Sequence, residues 1–507
     1  MKKARILNIG YMILWIFPIY IFGRDFFHVK DLIGIMDNET LSLILMSFKQ
    51  GILSSILAFV AAILPAYYVT YKKGLLSTLM EGTIFIPFFF PVISTVITFS
   101  LVFNLPLLKD LGILYSLKAI LIANVFYNAP IFVKYLSLGL KRIPNEVVEA
   151  ALECGASKWV LFTRIKLPLI LPQIFRGFFL VFTYSFTSFG IVLSLGGLKF
   201  STLEVEIVNS LMGSANFSRM FALGIVQFII LTGVNIIGEK IDGYELEEDE
   251  KIGEVSLITK IYSYIFIIFE FGIVGINLVF SFYNYYDKKF SLRAFIDILS
   301  PKFNQKYPVV ESIINSGMIA MVTAFIVVVF TYLLLKFSGK FSTYIIFSTF
   351  GISSGFLGIT LVYTNIIYDI PYIVLLIGGF FLTTVPLAYS FMYQYIKKFR
   401  VDILEASSID GANKLQTFIY VEFPILKEIL SGTYLQIFAV IYAEFTITYT
   451  MQLGRYLPLS SVVNYNLYTN KLFLESAAMS SLNIIIIGIL FMVPYMRREK
   501  NSKGLGL

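Results

Sequence analysis

The residues of this chain whose types and spacing could do chemistry are carboxylates, not histidines or thiols. Glu149 opens the stretch Glu-Ala-Ala-Leu-Glu-Cys-Gly-Ala-Ser-Lys-Trp-Val-Leu-Phe-Thr-Arg-Ile-Lys-Leu-Pro, which ends at Pro168. Glu405 opens Glu-Ala-Ser-Ser-Ile-Asp-Gly-Ala-Asn-Lys-Leu-Gln-Thr-Phe-Ile-Tyr-Val-Glu-Phe-Pro, which ends at Pro424. Glu149 and Glu405, Gly155 and Gly411, and Pro168 and Pro424 are each separated by 256 residues. A carboxylate in a short helix can accept hydrogen bonds from a basic side chain or from free backbone N–H groups. Catalytic chemistry has little to work with. The chain holds one histidine, His28, and one cysteine, Cys154, which excludes an intramolecular disulfide and a histidine-built metal site. No phosphate-binding Gly-x4-Gly-Lys-Ser/Thr loop occurs; Gly339-Lys340 comes closest and lacks both the earlier glycine and the following hydroxyl residue. Neither a nucleophile elbow nor a His-Glu-x-x-His helix is present, and the chain reads as non-enzymatic, with no catalytic residue and no metal site.

A second set of polar residues lies inside apolar segments. Thr183, Ser185, Thr187 and Ser188 cluster in the first half, and Glu444, Thr446, Thr448 and Tyr449 in the second. A carboxylate at membrane depth is costly unless it faces protein or water, so Glu444 is a candidate for holding a cationic solute. Its alternative is a carboxylate hydrogen-bonded within the bundle. Glu270 raises the same question. The offset of 256 sets Glu444 opposite Ser188. The expected pathway residues are therefore Ser185, Thr187, Ser188, Glu444, Thr446 and Thr448, although hydroxyls in membrane helices also serve as bridges between neighbours.

The elements that must position these groups follow from composition. Of 507 residues, 57% are hydrophobic and 14% charged, and the mean hydropathy is +0.80. Soluble domains carry about a quarter charged residues, so this is an integral membrane protein. Its apolar runs exceed the ~20 residues needed to cross a bilayer as a helix and lack the alternation of barrel strands. Twelve segments are expected, at 6–23, 41–70, 82–104, 111–138, 169–196 and 219–238, then 260–283, 309–336, 342–366, 370–396, 425–452 and 477–496. The shared offset makes two parallel repeats, at 1–240 and 260–507. Between them, 241–259 carries Glu245, Glu247, Glu248, Asp249, Glu250 and Glu254 and reads as a solvated acidic linker. Each twin stretch reads as a short helix, a glycine turn and a second short helix, with Pro168 or Pro424 in the first turn of the next helix.

The net charge of +8 reflects orientation in a membrane, not nucleic-acid binding. Lys2, Lys3, Arg5, Lys72, Lys73, Lys141, Arg142, Lys336, Lys397, Arg400, Arg497 and Arg498 all fall on one side when the N-terminus is inside. Both termini and both twin stretches are thereby expected in the cytoplasm. The apolar run from Ile6 to Phe22 lacks a signal-peptidase site and reads as an uncleaved first helix.

Glu149, Ala150, Ala151, Gly155, Ile165, Leu167 and Pro168 resemble the EAA loop of binding-protein-dependent ABC importers, by which a permease grips its ATPase. The second copy keeps Glu405, Ala406, Gly411 and Pro424 and departs at Ser407, Val421 and Phe423. Two copies in one chain, with loops at 141–168 and 397–424, resemble the fused permeases of ferric-iron and thiamine importers. The run from Ser188 to Gly197, followed by Ser201 to Glu206, is similar to the same group. The resemblance implies an all-α fold of two six-helix repeats of the MetI-like type in a prokaryotic inner membrane. It implies an ABC ATPase homodimer carrying ATP-Mg, an extracytoplasmic solute-binding protein and the lipid bilayer as partners, with no nucleic acid and no cofactor on this chain. It also implies an ATPase contact made by Glu149, Ala150, Ala151, Gly155, Trp159, Pro168, Glu405, Ala406, Gly411, Leu415 and Pro424. For Trp159 the alternative is packing on its own bundle. The competing function is an ion-gradient-driven secondary transporter or channel whose loops are structural; parallel repeats occur there as well.

Overall fold

A computed structural model describes residues 2–504, apart from 29, 31–33, 36, 73, 75–76, 78–79, 81–85, 240–250, 252, 285–287, 338–339, 398 and 400. Among the described residues the regular structure is all-helical except for a two-stranded antiparallel ribbon pairing Tyr283 with Phe290 and Asn284 with Lys289. Ten described helices are long and apolar enough to cross a membrane.

Each repeat is built on three long helices packed side by side. In the first these are α1 (Asn38–Tyr71), α2 (Leu117–Lys141) and α3 (Leu167–Phe186); in the second, α4 (Val309–Phe337), α5 (Tyr372–Lys397) and α6 (Phe423–Ala443). Local sequence sets where they begin. Asp37 caps α1 by accepting the Thr40 N–H at 2.7 Å, and Ser116 caps α2 through the Lys118 N–H at 3.2 Å. Gln50 of α1 and Asn128 of α2 then bind the same residue of α3, Ser185, through its carbonyl at 2.7 Å and its hydroxyl at 3.2 Å. Buried polar groups satisfied in this way fix the relative height of three otherwise apolar helices.

The repeats exchange their leading helices. Lys2–Phe26 packs chiefly on Ser354–Tyr368 of the second repeat, while Leu257–Phe282 packs on α1 and on Phe473–Gly504. Tyr11, fully buried, exchanges a hydrogen bond with Thr349 at 2.7 Å across the repeats. One buried apolar cluster accordingly draws residues from both halves, among them Phe186, Phe221, Phe356 and Tyr442.

Several expected segments are broken. Segment 342–366 is two helices meeting at 90°, Ser342–Thr349 and Ser354–Tyr368. Ser353 caps the second by accepting the Phe356 N–H at 3.0 Å, which starts a new helix in the middle of an apolar run. Segment 82–104 contains the twelve-residue helix Val92–Phe103, and its residues 82–85 lie outside the described ones. Segments 169–196 and 425–452 are interrupted at 187–189 and at 444–445. The acidic linker at 240–250 and 252 also lies outside the described residues. Its far end is packed: Lys251 is buried and donates to the Ile143 carbonyl and to Asn145 Oδ1 at 2.7 Å, and the Gly253 N–H donates to the Tyr71 carbonyl at 3.1 Å.

Candidate coupling loops and pathway

The two glutamate-led stretches have the same local build. In the first, helix Asn145–Glu153 ends in a turn at Gly155, whose φ is +80°; the Ala156 N–H reaches back to the Ala151 carbonyl at 3.0 Å. In the second, helix Val401–Ile409 ends at Gly411 with φ +81°, and the Ala412 N–H reaches the Ser407 carbonyl at 3.1 Å. A 6→1 bond closed by a left-handed glycine is the Schellman ending. The next helix starts on a cap in both: Ser157 accepts the Val160 N–H at 3.3 Å, and Asn413 forms a reciprocal capping box with Gln416.

Pro168 and Pro424 stand in the first turn of α3 and α6, as expected, but the second short helix runs into each of them without a break. Helical backbone runs without interruption from Lys158 to Phe186. A π-helical stretch, Leu161–Lys166, absorbs the proline, with the Leu167 N–H bonded to the Phe162 carbonyl. Phe418–Glu422 does the same ahead of Pro424, with the Phe423 N–H on the Phe418 carbonyl. Proline lacks an N–H and its ring collides with the carbonyl four residues back, and a wider turn relieves both problems. The second short helix of each loop is thus a continuous extension of α3 or α6.

Glu149, Ala150, Gly155, Pro168, Glu405, Ala406, Gly411 and Pro424 are exposed, and Ala151 is half-buried. Trp159 is 72% exposed and Leu415 66%, so neither packs on its own bundle. Phe162 stands beside Trp159 with ring centroids 6.4 Å apart, whereas Phe418 turns inward onto Tyr332 at 5.7 Å.

Five of the six expected pathway residues, Ser185, Thr187, Glu444, Thr446 and Thr448, make hydrogen bonds within the bundle. Ser185 is consumed by Gln50 and Asn128, and Thr187 donates to the Thr183 carbonyl at 3.0 Å. Thr448 donates to the Phe445 carbonyl at 2.7 Å and pairs with Ser461 at 3.1 Å. The Thr446 carbonyl accepts the Thr450 hydroxyl at 2.9 Å. Glu444 accepts the Ile447 N–H at 3.0 Å, capping the short helix Thr446–Thr450. Ser188 and Glu444 do meet in one respect: they immediately precede Phe189 and Phe445, whose rings stack across the repeats.

A cavity of about 240 Å³ lies between the repeats on the side of the loops. Tyr135, Tyr184, Tyr389, Phe350 and Phe391 give it aromatic walls; Lys134, Arg142 and Arg176 also line it, and no carboxylate does among the described residues. Sequence reasoning missed this cavity because its residues come from six α-helices and form no motif. It also missed Glu204, which is fully buried and crosses the repeats to accept from Ser353 Oγ at 2.9 Å and the Gly355 N–H at 3.2 Å, as well as from Gln227 at 2.5 Å.

Residues 56–243 match the family described as binding-protein-dependent transport system inner membrane component. The chain is 28% identical over 204 residues to the thiamine transport system permease protein ThiP of Haemophilus influenzae, covering 38% of each protein. It is 31% identical over 128 residues to the Escherichia coli ThiP, covering 25% of this chain and 24% of that one. A probable transport system permease protein, NifC of Clostridium pasteurianum, is 23% identical over 239 residues, covering 45% of this chain and 84% of NifC. The matched stretches thus span well under half the length of either thiamine permease. The chain is thus an all-helical integral membrane protein whose residues 56–243 are similar to the inner membrane component of binding-protein-dependent transport systems.

Proposed function

We propose that this chain is the fused permease subunit of an ABC importer, supplying both halves of the pore. In this reading the loops at 141–168 and 397–424 face the cytoplasm, as do both termini, and each docks on one copy of an ABC ATPase homodimer that carries ATP-Mg. Glu149 and Glu405 are the polar anchors; Trp159 and Leu415 supply the apolar ones, the residue types that dominate interface centres. Closure of the ATPases on ATP moves α3 and α6 through their unbroken helical extensions, and the halves rock between inward-open and outward-open. An extracytoplasmic binding protein delivers the solute to the opposite face.

The observation that carries this reading is the pair of equivalent Schellman turns at Gly155 and Gly411, each followed by a π-bridged helix with an exposed large apolar residue. A structural connector has no need to expose Trp159 and Leu415 beside matched carboxylates. For the solute, thiamine is favoured over bare ferric iron. The cavity has aromatic walls suited to planar rings, and lysine and arginine side chains oppose a trivalent cation more than a singly charged ring.

The test is co-purification of the permease with its ABC ATPase, paired with thiamine uptake into proteoliposomes. Glu149→Lys combined with Glu405→Lys should abolish co-purification and uptake, and wild-type uptake should require ATP. Uptake driven by an ion gradient with no ATPase attached would establish the secondary-transporter reading in its place.

A further inference from the structure

Position 166 of the first repeat corresponds to position 422 of the second, and the two carry opposite charges, Lys166 and Glu422. Each closes its π-helical stretch. Both reach sideways to the end of the neighbouring long helix. Lys166 Nζ donates to the Tyr71 hydroxyl at 3.3 Å and lies 5.3 Å from that ring, at the last residue of α1. Glu422 is nearly buried; its Oε1 accepts the Tyr332 hydroxyl at 2.6 Å and its Oε2 accepts Lys336 Nζ at 2.5 Å, both from the last turns of α4. Lys336 also donates to the Tyr332 hydroxyl at 3.0 Å and sits 5.9 Å from the Phe418 ring.

We propose that these are a charge-inverted pair of clasps that carry loop displacement into α1 and α4, with Lys336–Glu422 the stronger member. Glu422 and Lys336 are positioning residues in this role: they make α4 follow α6. The proposal rests on the reading of the loops as ATPase-driven levers. Without a lateral tie, the continuous extension would move α6 alone, because membrane helices gain little hydrophobic drive from staying together. The two clasps differ in strength. Glu422 lies in a nearly water-free site with two charge-assisted or short hydrogen bonds, whereas Lys166 meets a neutral hydroxyl and a ring. The halves therefore respond unequally to the same ATPase stroke.

The experiment uses the full chain with its ATPase, in a Cys154→Ser background spin-labelled at Ile63→Cys on α1 and Val329→Cys on α4, both partly exposed. The distance between labels is measured with and without ATP-Mg and vanadate. The wild-type background should show a nucleotide-driven shift. Lys336→Met and Glu422→Gln should each cut that shift to less than half while the ATPase still co-purifies, and the exchange Lys336→Glu with Glu422→Lys should restore it. Lys166→Met should reduce the shift less than either. A full shift in both single variants, or an exchange no better than the singles at unchanged melting temperature, overturns the clasp. If the wild-type chain binds its ATPase and shows no shift, the clasp also falls while the docking reading stands. Failure of wild-type co-purification removes the docking reading and the clasp with it.

Discussion

Phe189 and Phe445, separated by the repeat offset of 256 residues, stack on one another with centroids 6.1 Å apart and planes inclined by 18°. Two equivalent residues touch each other only where the axis relating the repeats passes between them. Both helices break there, after Phe186 and after Ala443, so the stack sits at paired interruptions. Both rings are buried, at 2% and 3% exposure. Under the proposed importer reading, this buried apolar stack is the plug that keeps the pore shut.

Opening that plug by mutation should therefore create a leak. Phe189→Ala and Phe445→Ala should each raise the release of a small entrapped fluorophore from proteoliposomes without ATP. A double-mutant cycle on thermal stability should give a coupling energy of about 0.5–1.5 kcal/mol, the range for an aromatic pair beyond its burial. Strict additivity would show that the rings are neighbours without mutual support.

Gly155 and Gly411 offer a cleaner test of the turns. A methyl group added at either would meet nothing within 4 Å, so the whole cost of alanine is backbone strain at positive φ. That strain is about 1–2 kcal/mol per site. Amide exchange across 150–158 should accelerate in Gly155→Ala, and across 406–414 in Gly411→Ala, with the melting temperature of the bundle nearly unchanged. ATPase co-purification should weaken in step with the exchange.

How much of this was legible in the sequence depends on where identity and geometry coincide. The turns were legible, because a left-handed position and a short cap leave few choices: glycine at 155 and 411, serine or asparagine at 157 and 413. The helix breaks were not. Thr187-Ser188-Phe189 and Glu444-Phe445 contain neither proline nor glycine, and their runs read as continuous apolar segments. What breaks them is tertiary: Glu444 turns its carboxylate to the next helix start, and the aromatic stack holds the two ends. The Lys166–Glu422 relationship was hidden for a different reason. A search for matching residues passes over the position where the charge inverts, although the offset alone would have exposed it.

Acid should loosen the start of α1. The Asp37 carboxyl is held below its ordinary pKa, first by the Thr40 backbone N–H it accepts and then by the charge of Arg219. A depressed folded-state pKa contributes stability that is present above the unfolded value, near 4, and is lost as pH falls through the folded value. Asparagine also caps a helix but does not titrate in this range. In Asp37→Asn the decline of thermal stability below about pH 4 should be shallower than in the wild-type protein, while the two curves run parallel above pH 6. Identical acid limbs would place the acid-sensitive carboxylates elsewhere.

Glu204 provides the sharpest distinction between losing a charge and losing an acceptor. Its carboxylate takes hydrogen bonds from Gln227, Ser353 and the Gly355 N–H, the last two at the start of a helix in the other repeat. Glu204→Ala strands three buried donors, and with about 1–3 kcal/mol at stake for each stranded group the loss should be on the order of 3 kcal/mol or more. Glu204→Gln is different. Its carboxamide oxygen can still accept from Ser353 and Gly355, and its new NH2 faces the Gln227 amide, whose own Oε1 is buried without a partner. Rotating the Gln227 amide by half a turn turns that clash of donors into a hydrogen bond, because amide oxygen and nitrogen exchange places. Glu204→Gln should therefore cost under about 1.5 kcal/mol, the net worth of a single hydrogen bond. Thermal unfolding of both variants in detergent reads the difference directly. If the glutamine variant unfolds as early as the alanine one, the negative charge at the N-terminus of Ser354–Tyr368 holds the bent helix pair in place, and acceptor geometry is secondary.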